Sequence, residues 1–373
     1  MAYTPALPNA FDKGLIPIDV RKEYFSELIQ ESPFINFTGN TQDSVIQVVY
    51  LDNGSGGSTT FAFKKELDYK STTNGFAQIS GTGEDLQFFY DRIEVEKRSK
   101  ADRLTGIQIV KLQTPIDVYD ALKPALIKQH KRNIVYRLLK SATFDSYAGN
   151  FGSGPVVDRV QYGTDTIIGS NWNASMITAA DALAGNGPTN GGVSVQAIKN
   201  MRRMAMQGGS TYEREKRINP YEQKVLKGAP APMFVYFMSP SSFKSLEQDD
   251  DWKNYYFRSL IELPNQPTGL TGSLFRGVID GVLIYEVEEL ENFRVGTDQG
   301  FARANAWNLF CGAQAFGLAW HGVPWFTQEI TNHQNEVEMA YQEFRGEKAI
   351  KFPSFVNPNV SIENGIIHHI VRL

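Results

Sequence analysis

Apolar residues recur at roughly helical spacing over one long stretch of the chain, residues 117–147. The stretch is rich in Leu, Ala, Lys, Gln and Arg, which favour helix. A helix over residues 120–146 would measure about 40 Å at 1.5 Å per residue. Its apolar positions drift around the axis from Leu126 to Leu138. We therefore predict a long scaffold helix that packs against different neighbours at its two ends.

Shorter patterns surround this helix. Alternating or continuous apolar runs predict strands at residues 45–51, 59–63, 84–98, 233–238, 282–287, 307–311, 325–330 and 337–344. Capping signals and helical periodicity predict helices at residues 20–30, 174–183, 195–207 (with Ser194 as N-cap) and 241–248 (opened by Ser239-Pro240). Strands and helices mixed with long excursions indicate an α+β fold.

Residues 41–106 form a glycine-tipped β arm in this pattern. The strands at 45–51 and 59–63 are joined by a Gly/Ser-rich connection, which predicts a hairpin. A phosphate-binding loop does not fit, because no Gly-Lys-Ser/Thr follows and no helix follows the loop. At 93–98, apolar and charged residues alternate, so one face of that strand is charged. With so few apolar residues, the arm needs a partner surface to lie on.

Composition limits the classes of protein that fit. The 373 residues are 42% hydrophobic and 21% charged, which suits a soluble chain with a large core and about two domains. A formal net charge of −4 does not indicate a polyanion binder, and one cysteine excludes an intramolecular disulfide framework. We find no membrane-length apolar run and no secretion signal.

Candidate chemistry is sparse. His130 lies in the basic run 128–132, which we interpret as a solvated or partner-facing stripe. His368 and His369 are adjacent in a strand and would point to opposite faces, which is wrong for joint metal ligation. The acidic run 247–251 lacks the spacing of a calcium loop, so helix-end solvation explains it better. With no catalytic motif in the chain, we predict no enzyme, no metal site and no cofactor.

Cys311 lies in an apolar context, Leu309-Phe310-Cys311-Gly312. We expect a buried, inert thiol there instead of a nucleophile.

Three blocks carry a resemblance to one family. Residues 83–93 (GEDLQFFYDRI) resemble the G-x-E-x-L-x-F-Y-x-D-x-I signature of major capsid proteins from tailed bacteriophages and prophages. The central block is similar at residues 234–240 (FVYFMSP), 270–274 (LTGSL) and 279–286 (IDGVLIYE), and the C-terminal block at residues 309–315 (LFCGAQA), Asn335 and 346–352 (GEKAIKF). The spacer before residue 274 is shorter than usual and lacks the Asn-Pro-x-Phe-x-Gly motif. The ordered combination of the three blocks is what makes the resemblance specific.

The resemblance implies an HK97-type major capsid fold. Its parts would be an N-terminal arm at 1–40, an extended β-hairpin loop at 41–106, a peripheral domain at 107–171 with the spine helix 117–147, a mixed α/β axial domain at 172–345, and a C-terminal return to the peripheral domain at 346–373.

The implied function is a virion structural protein that self-assembles through hexamers and pentamers into an icosahedral shell around double-stranded DNA, bound without sequence specificity. Portal, scaffolding and decoration proteins would be its other partners, the host cytoplasm its place of assembly, and no membrane would be involved. The expected intersubunit contacts are charged residues of the arm and helix: Asp91, Arg92, Glu94, Glu96, Lys97, Arg98, Lys128, Lys131 and Arg132.

Two alternatives remain open at this point. One is an encapsulin-like compartment shell with the same fold. The other is an enzyme with an unrecognised α+β site, which clustering of His321, His333 and an acidic residue around a pocket would support.

Overall fold

The structure is a computed structural model that describes residue 34 and residues 37–51, 57–64, 88–105, 118–143, 160–162, 166–168, 193–208, 217–223, 231–254, 274–293, 305–331, 336–353 and 361–372. The strands are β1 (Thr38–Gly39), β2 (Ile46–Leu51), β3 (Ser58–Lys64), β4 (Phe88–Glu94), β5 (Glu96–Thr105), β6 (Val160–Tyr162), β7 (Thr166–Ile168), β8 (Tyr221–Gln223), β9 (Ala231–Met238), β10 (Phe275–Ile279), β11 (Val282–Glu286), β12 (Asn305–Cys311), β13 (Phe316–Thr331), β14 (Glu336–Ala349), β15 (Lys351–Pro353), β16 (Ser361–Glu363) and β17 (Ile366–Arg372). The helices are α1 (Val118–Ala142), α2 (Val195–Gln207) and α3 (Pro240–Leu246), with a 3-10 helix at Glu288–Phe293. The α+β prediction is confirmed.

A five-stranded sheet runs in the order β1-β2-β13-β14-β5. The long antiparallel hairpin β13–β14 forms its centre, β2 joins β13 in parallel, and β5 joins β14 antiparallel. The predicted hairpin between the strands near 45–51 and 59–63 is therefore wrong, because β2 pairs with β13 while β3 pairs with β4. The buried Ile46 and Val48 explain the choice, since the parallel pairing places them in the main core beside Phe316 and Leu318.

The β3–β4 ribbon lies on this sheet. Its inner side chains Phe61 and Ile93 are buried in a small core with residues of β13, β15 and β16. Two glycines of the sheet permit this close approach: a Cβ on Gly317 would lie 2.4 Å from Ile93 Cδ1, and one on Gly346 would lie 2.2 Å from the carbonyl oxygen of Glu94. The same chain thus supplies a partner surface for the β3–β4 part of the arm.

The second sheet has eight strands in the order β10-β11-β9-β12-β17-β6-β7, with β8 on β9. Along β9, alternate side chains enter two different cores: Val235 and Phe237 face α1, whereas Phe234 and Tyr236 face α2. The sheet is therefore covered on both sides, which explains the nearly continuous apolar sequence of β9 and β11.

Helix α1 ties the two sheets together. From Leu126 to Thr143 the buried residues recur in pairs at four-residue spacing, and most of the apolar ones share a core with both sheets. Such spacing displaces each pair by about 40° round the axis, so the buried face drifts along the helix in agreement with the predicted drift. His130 and Lys131 occupy inward positions that a count of apolar residues misses. The observed helix ends near Ala142, and residues 144–147 of the predicted helix lie outside the described part of the chain.

One predicted domain limit falls within a described strand. The limit at 345/346 lies inside β14, whose residues Glu336–Ala349 form one continuous strand of the five-stranded sheet. Most of the N-terminal arm, the predicted helices 20–30 and 174–183, and the limits at 106/107 and 171/172 lie outside the described residues. Among the helices that the structure describes, none is long and apolar enough to span a membrane.

Candidate intersubunit surfaces

The outer face of β4 is unusually exposed for an aromatic strand. Phe88 is 54% and Tyr90 65% exposed, and both alternate with inward side chains on the same strand. Further along this face, the side chains of Arg92 and Glu94 are 66% and 74% exposed, and their charged groups lie 3.9 Å apart. An aromatic and charged strip of this kind is available to a partner.

Asp91 points the opposite way, into the chain. Its two carboxylate oxygens accept hydrogen bonds from Lys348 Nζ at 2.5 Å and from the backbone N–H of Lys351 at 2.8 Å. Asp91 is only 8% exposed. This carboxylate holds the ribbon to the strand connection after β14, and within one chain its charge is already compensated.

Strand β5 is an edge of the five-stranded sheet and carries charges on both faces. Arg98 bridges Glu96 at 3.1 Å and Glu347 at 3.5 Å, whereas Lys97 is exposed opposite Phe344. Charged residues along an open edge oppose indiscriminate strand pairing. A partner that docks here must therefore satisfy charges as well as backbone groups.

The basic run of α1 divides into exposed and buried members. Lys128 and Arg132 are exposed, and Arg132 lies 3.4 Å from Glu288 and 3.9 Å from Glu289 on the 3-10 helix. The two helices border a polar groove of about 610 Å³. Lys131, by contrast, is 8% exposed. Only the exposed members can meet another molecule without a rearrangement of α1.

His130 is fully buried, so the interpretation of His130 as part of a solvated stripe is wrong. Its Nε2 lies 2.7 Å from Glu343 Oε1, and its ring stacks on Tyr341 with the centroids 4.1 Å apart. Arg345 Nη1 donates to the same carboxylate oxygen at 2.5 Å, and its Nη2 donates to Asn133 Oδ1 at 2.9 Å. The network joins α1 to β14 through polar and ionic groups that are buried in the core.

Burial lowers the pKa of His130, and the hydrogen bond with Glu343 opposes this effect only in part. Burial by itself raises the pKa of Glu343, but the hydrogen bond from His130 and the charge of Arg345 bring it below its usual value. Burial raises the pKa of Tyr341 to about 12. At neutral pH the histidine is therefore neutral and the carboxylate charged, so His130 Nε2 donates and Glu343 accepts.

Two further histidines lie in the core of the eight-stranded sheet and point to opposite faces, as predicted. His368 Nδ1 accepts from Trp307 Nε1 at 3.0 Å and its Nε2 lies 2.5 Å from Glu363, whereas His369 Nδ1 lies 2.6 Å from the Tyr236 hydroxyl. Because Nδ1 of His368 accepts, its proton is on Nε2 and is donated to the carboxylate. Both residues are fully buried and hold strands together.

Sequence comparison decides the family. A family model described as phage capsid protein matches residues 17–366 of the chain. The chain belongs to the phage capsid protein family. A comparison with curated protein sequences finds no match to this capsid protein.

Solved structures agree with the assignment at the level of the fold. The capsid of Ralstonia phage GP4 is 20% identical, with a TM-score of 0.67 over 92% of this chain and 91% of that chain. The acid-stable capsid of Helicobacter pylori bacteriophage KHP30 is 14% identical, with a TM-score of 0.61 over 92% of each chain. The capsid of cyanophage Pam1 is 19% identical, with a TM-score of 0.60 over 92% of this chain and 93% of that chain. The HK97-type fold of this capsid protein is thus confirmed.

The surroundings of His321 and Cys311 bear on the enzyme alternative for this capsid protein. His321 lies against Phe344, which also contacts Trp325, so its described surroundings are aromatic; His333 lies outside the described residues. Among the residues that the structure describes, no group of three or more His, Cys, Asp or Glu side chains could hold a metal ion. Cys311 is buried, as predicted, and burial raises the pKa of its thiol.

Sequence reasoning missed the functional partners of the buried network and the exposed aromatic residues of β4. Glu343 and Arg345 alternate with less polar residues on β14 and look like ordinary exposed strand positions. Phe88 and Tyr90 look like core residues. The sequence did carry a signal for Tyr90. Residues two apart on a strand share a face, and the residues that follow Tyr90 on its face are the charged Arg92 and Glu94.

Proposed function

We propose that this protein is the major capsid subunit of a virion, and that its copies assemble through hexamers and pentamers into an icosahedral shell around double-stranded DNA. The observation that carries the proposal is the phage capsid family match over residues 17–366, joined to the HK97-type fold. The family points to a structural protein, and we propose that it has no catalytic activity. The same match favours a capsid over the encapsulin-like and enzyme alternatives.

The exposed charges support a role for β4, β5 and α1 in contacts between copies. Six of the nine expected contact residues present their side chains to solvent in a single chain: Arg92, Glu94, Glu96, Lys97, Lys128 and Arg132. Exposed charges of both signs steer association and fix register more than they add affinity. Heterologous contacts of this kind close into rings when the rotation between copies permits.

The other three expected residues support the subunit itself. Asp91 and Lys131 are nearly buried, and Arg98 bridges two glutamates of its own chain. We propose that they position the contact strands and the helix, and that they reach a neighbouring copy only indirectly.

The remaining partners follow from the capsid role. A closed shell that is filled with DNA needs a portal, and scaffolding and decoration proteins commonly act with such shells in the host cytoplasm. The acidic total charge of the chain, −4, fits a wall that confines the DNA without binding it tightly.

Electron microscopy of the purified full-length protein, beside its sedimentation profile, tests the proposal. We expect closed shells of uniform curvature or rings of five and six copies, formed alone or with a co-expressed scaffolding protein from the same phage. A monomer or dimer that stays unchanged with concentration and with that scaffold would contradict the capsid role and justify substrate screening.

A further inference from the structure

The outer face of α2 carries a row of cations. Lys199, Arg202 and Arg203 are spaced so that they share one side of the helix, and Met206 follows one turn later with 50% of its surface exposed. The opposite side is buried in the core of the eight-stranded sheet. The helix itself contains no acidic residue. It therefore presents a fixed basic surface.

Arg217 extends this surface at the end of α2, where its Nε donates to the backbone oxygen of Met206 at 2.9 Å. Asp280 Oδ2 lies 4.0 Å from Lys199 Nζ. Arg202 and Arg203 have no carboxylate partner within the described part of the chain. We call Lys199, Arg202, Arg203 and Arg217 the α2 basic stripe.

An acidic turn lies at the other end of the same helix. It comprises Glu247, Asp249, Asp250 and Asp251, and Lys253 lies 2.7 Å from Asp250. Asp249 Oδ2 accepts a hydrogen bond from the backbone N–H of Val195 at 2.8 Å, which fixes the turn to the first residue of α2. The side chain of Asp250 is 92% exposed. The turn is thus fixed to α2 by Asp249, and the side chains of Glu247, Asp250 and Asp251 are exposed.

The two patches do not neutralise each other within one chain. From Val195 the helix rises about 6 Å to Lys199 and about 10–12 Å to Arg202 and Arg203, so the two arginines lie beyond the screening length of about 8 Å at physiological salt. The patches carry similar numbers of opposite charges at opposite ends of one rigid element. That arrangement suits a head-to-tail contact, in which the same two surfaces meet between every pair of neighbouring copies.

We propose that the acidic turn of one copy docks on the α2 basic stripe of the next copy within a ring, with Met206 at the centre of the contact. The inference rests on the proposed assembly of the chain into rings. A nucleic acid fits this surface less well, because it would leave the acidic turn without a partner and because the chain has a net charge of −4.

Charge reversal and its rescue test the contact. We expect the double variant R202E/R203E, and separately D250K/D251K, to raise the protein concentration needed for ring and shell formation by more than about tenfold, because each places like charges across the contact. The combined four-residue variant should restore assembly, since it exchanges the two signs. The charge-preserving R202K/R203K should assemble close to wild type.

Sedimentation velocity and electron microscopy give the readout, with circular dichroism to show that each subunit is folded. Assembly of R202E/R203E at the wild-type concentration, or failure of a folded four-residue variant to recover, would overturn the contact. Shells that form normally but retain less DNA would also overturn it and would assign the stripe to nucleic acid. If wild-type protein forms no rings or shells, the proposed function itself fails.

If the reversed variants do not fold, the salt dependence of wild-type assembly decides. Assembly weakened by rising salt supports the contact, and assembly indifferent to salt overturns it.

Discussion

Replacing Gly346 with alanine should loosen the β3–β4 ribbon from the sheet beneath it. The added Cβ would lie 2.2 Å from the carbonyl oxygen of Glu94 and 2.8 Å from Ile93 Cγ2. An ordinary contact to a carbonyl oxygen is about 1 Å longer, and the obstacle is backbone, so the ribbon must move as a unit. Overpacking of this kind costs about 1–3 kcal/mol.

The loss of folding free energy is larger if the ribbon detaches from the sheet instead of moving slightly away from it. Phe61 and Ile93 are 1% and 2% exposed, and full exposure of each costs about 1.5–3 kcal/mol, so detachment costs about 3–6 kcal/mol. We therefore expect Gly346→Ala to lower the free energy of unfolding by at least about 1 kcal/mol. Because the ribbon also carries the exposed strip of β4, the Gly346→Ala protein should assemble poorly at concentrations where wild-type protein assembles.

Gly57→Ala is the matched control in the same ribbon. There the nearest atom to an added Cβ is the carbonyl oxygen of Val95 at 3.9 Å, an ordinary contact. We expect its free energy of unfolding to stay within about 0.5 kcal/mol of wild type. Urea unfolding of dissociated subunits and hydrogen exchange of the β3 and β4 amides provide the measurements. Equal unfolding midpoints and equal ribbon exchange for the two alanine variants would refute the close-packing argument.

Three further predictions concern the buried network and the arm. Glu343→Gln should cost about 3 kcal/mol in urea unfolding, because it removes the buried carboxylate that pairs with the fully buried Arg345 guanidinium and accepts from His130, whereas Glu338→Gln on the exposed face of the same strand should cost under about 1 kcal/mol. The pKa of His130 is lowered in the folded state, so as acid is added the unfolded chain binds a proton at this histidine before the folded chain does. The free energy of unfolding should therefore fall as the pH drops below about 6.5, and it should fall less steeply in a folded His130→Gln variant. Equal slopes for the two proteins would argue against a buried neutral histidine. The Glu94→Lys/Glu96→Lys double variant should remain folded by circular dichroism but assemble poorly, and normal shells would count against the arm as an intersubunit surface.

Much of the fold was determined by local sequence. Ser194 and Ser239 were predicted as N-caps, and each accepts the expected backbone hydrogen bond, from Ala197 and Ser242. The strands β9, β11 and β12 lie within one or two residues of their predicted ends. Caps and apolar periodicity depend on residues only a few positions apart, so they can be recognised in the sequence without knowledge of the tertiary contacts.

The pairing of β2 with β13 was decided only by the tertiary structure. The two strands lie far apart in sequence, and nothing in the Gly/Ser-rich connection after β2 distinguishes a hairpin from a chain that crosses to another sheet. Registers of this kind are selected by which side chains become buried together, here Ile46 beside Phe316.

The buried polar contacts of α1 could not be predicted from the sequence either. His130 resembles its exposed neighbours in the basic run, and the carboxylate that makes its burial tolerable, Glu343, is 213 residues away. A buried polar group is stable only when a partner satisfies it, and only the folded chain brings that partner within reach. Local chemistry therefore determined the elements and the charged strands of this capsid protein, and the tertiary structure decided which of those charges hold the subunit together and which remain available to its neighbours.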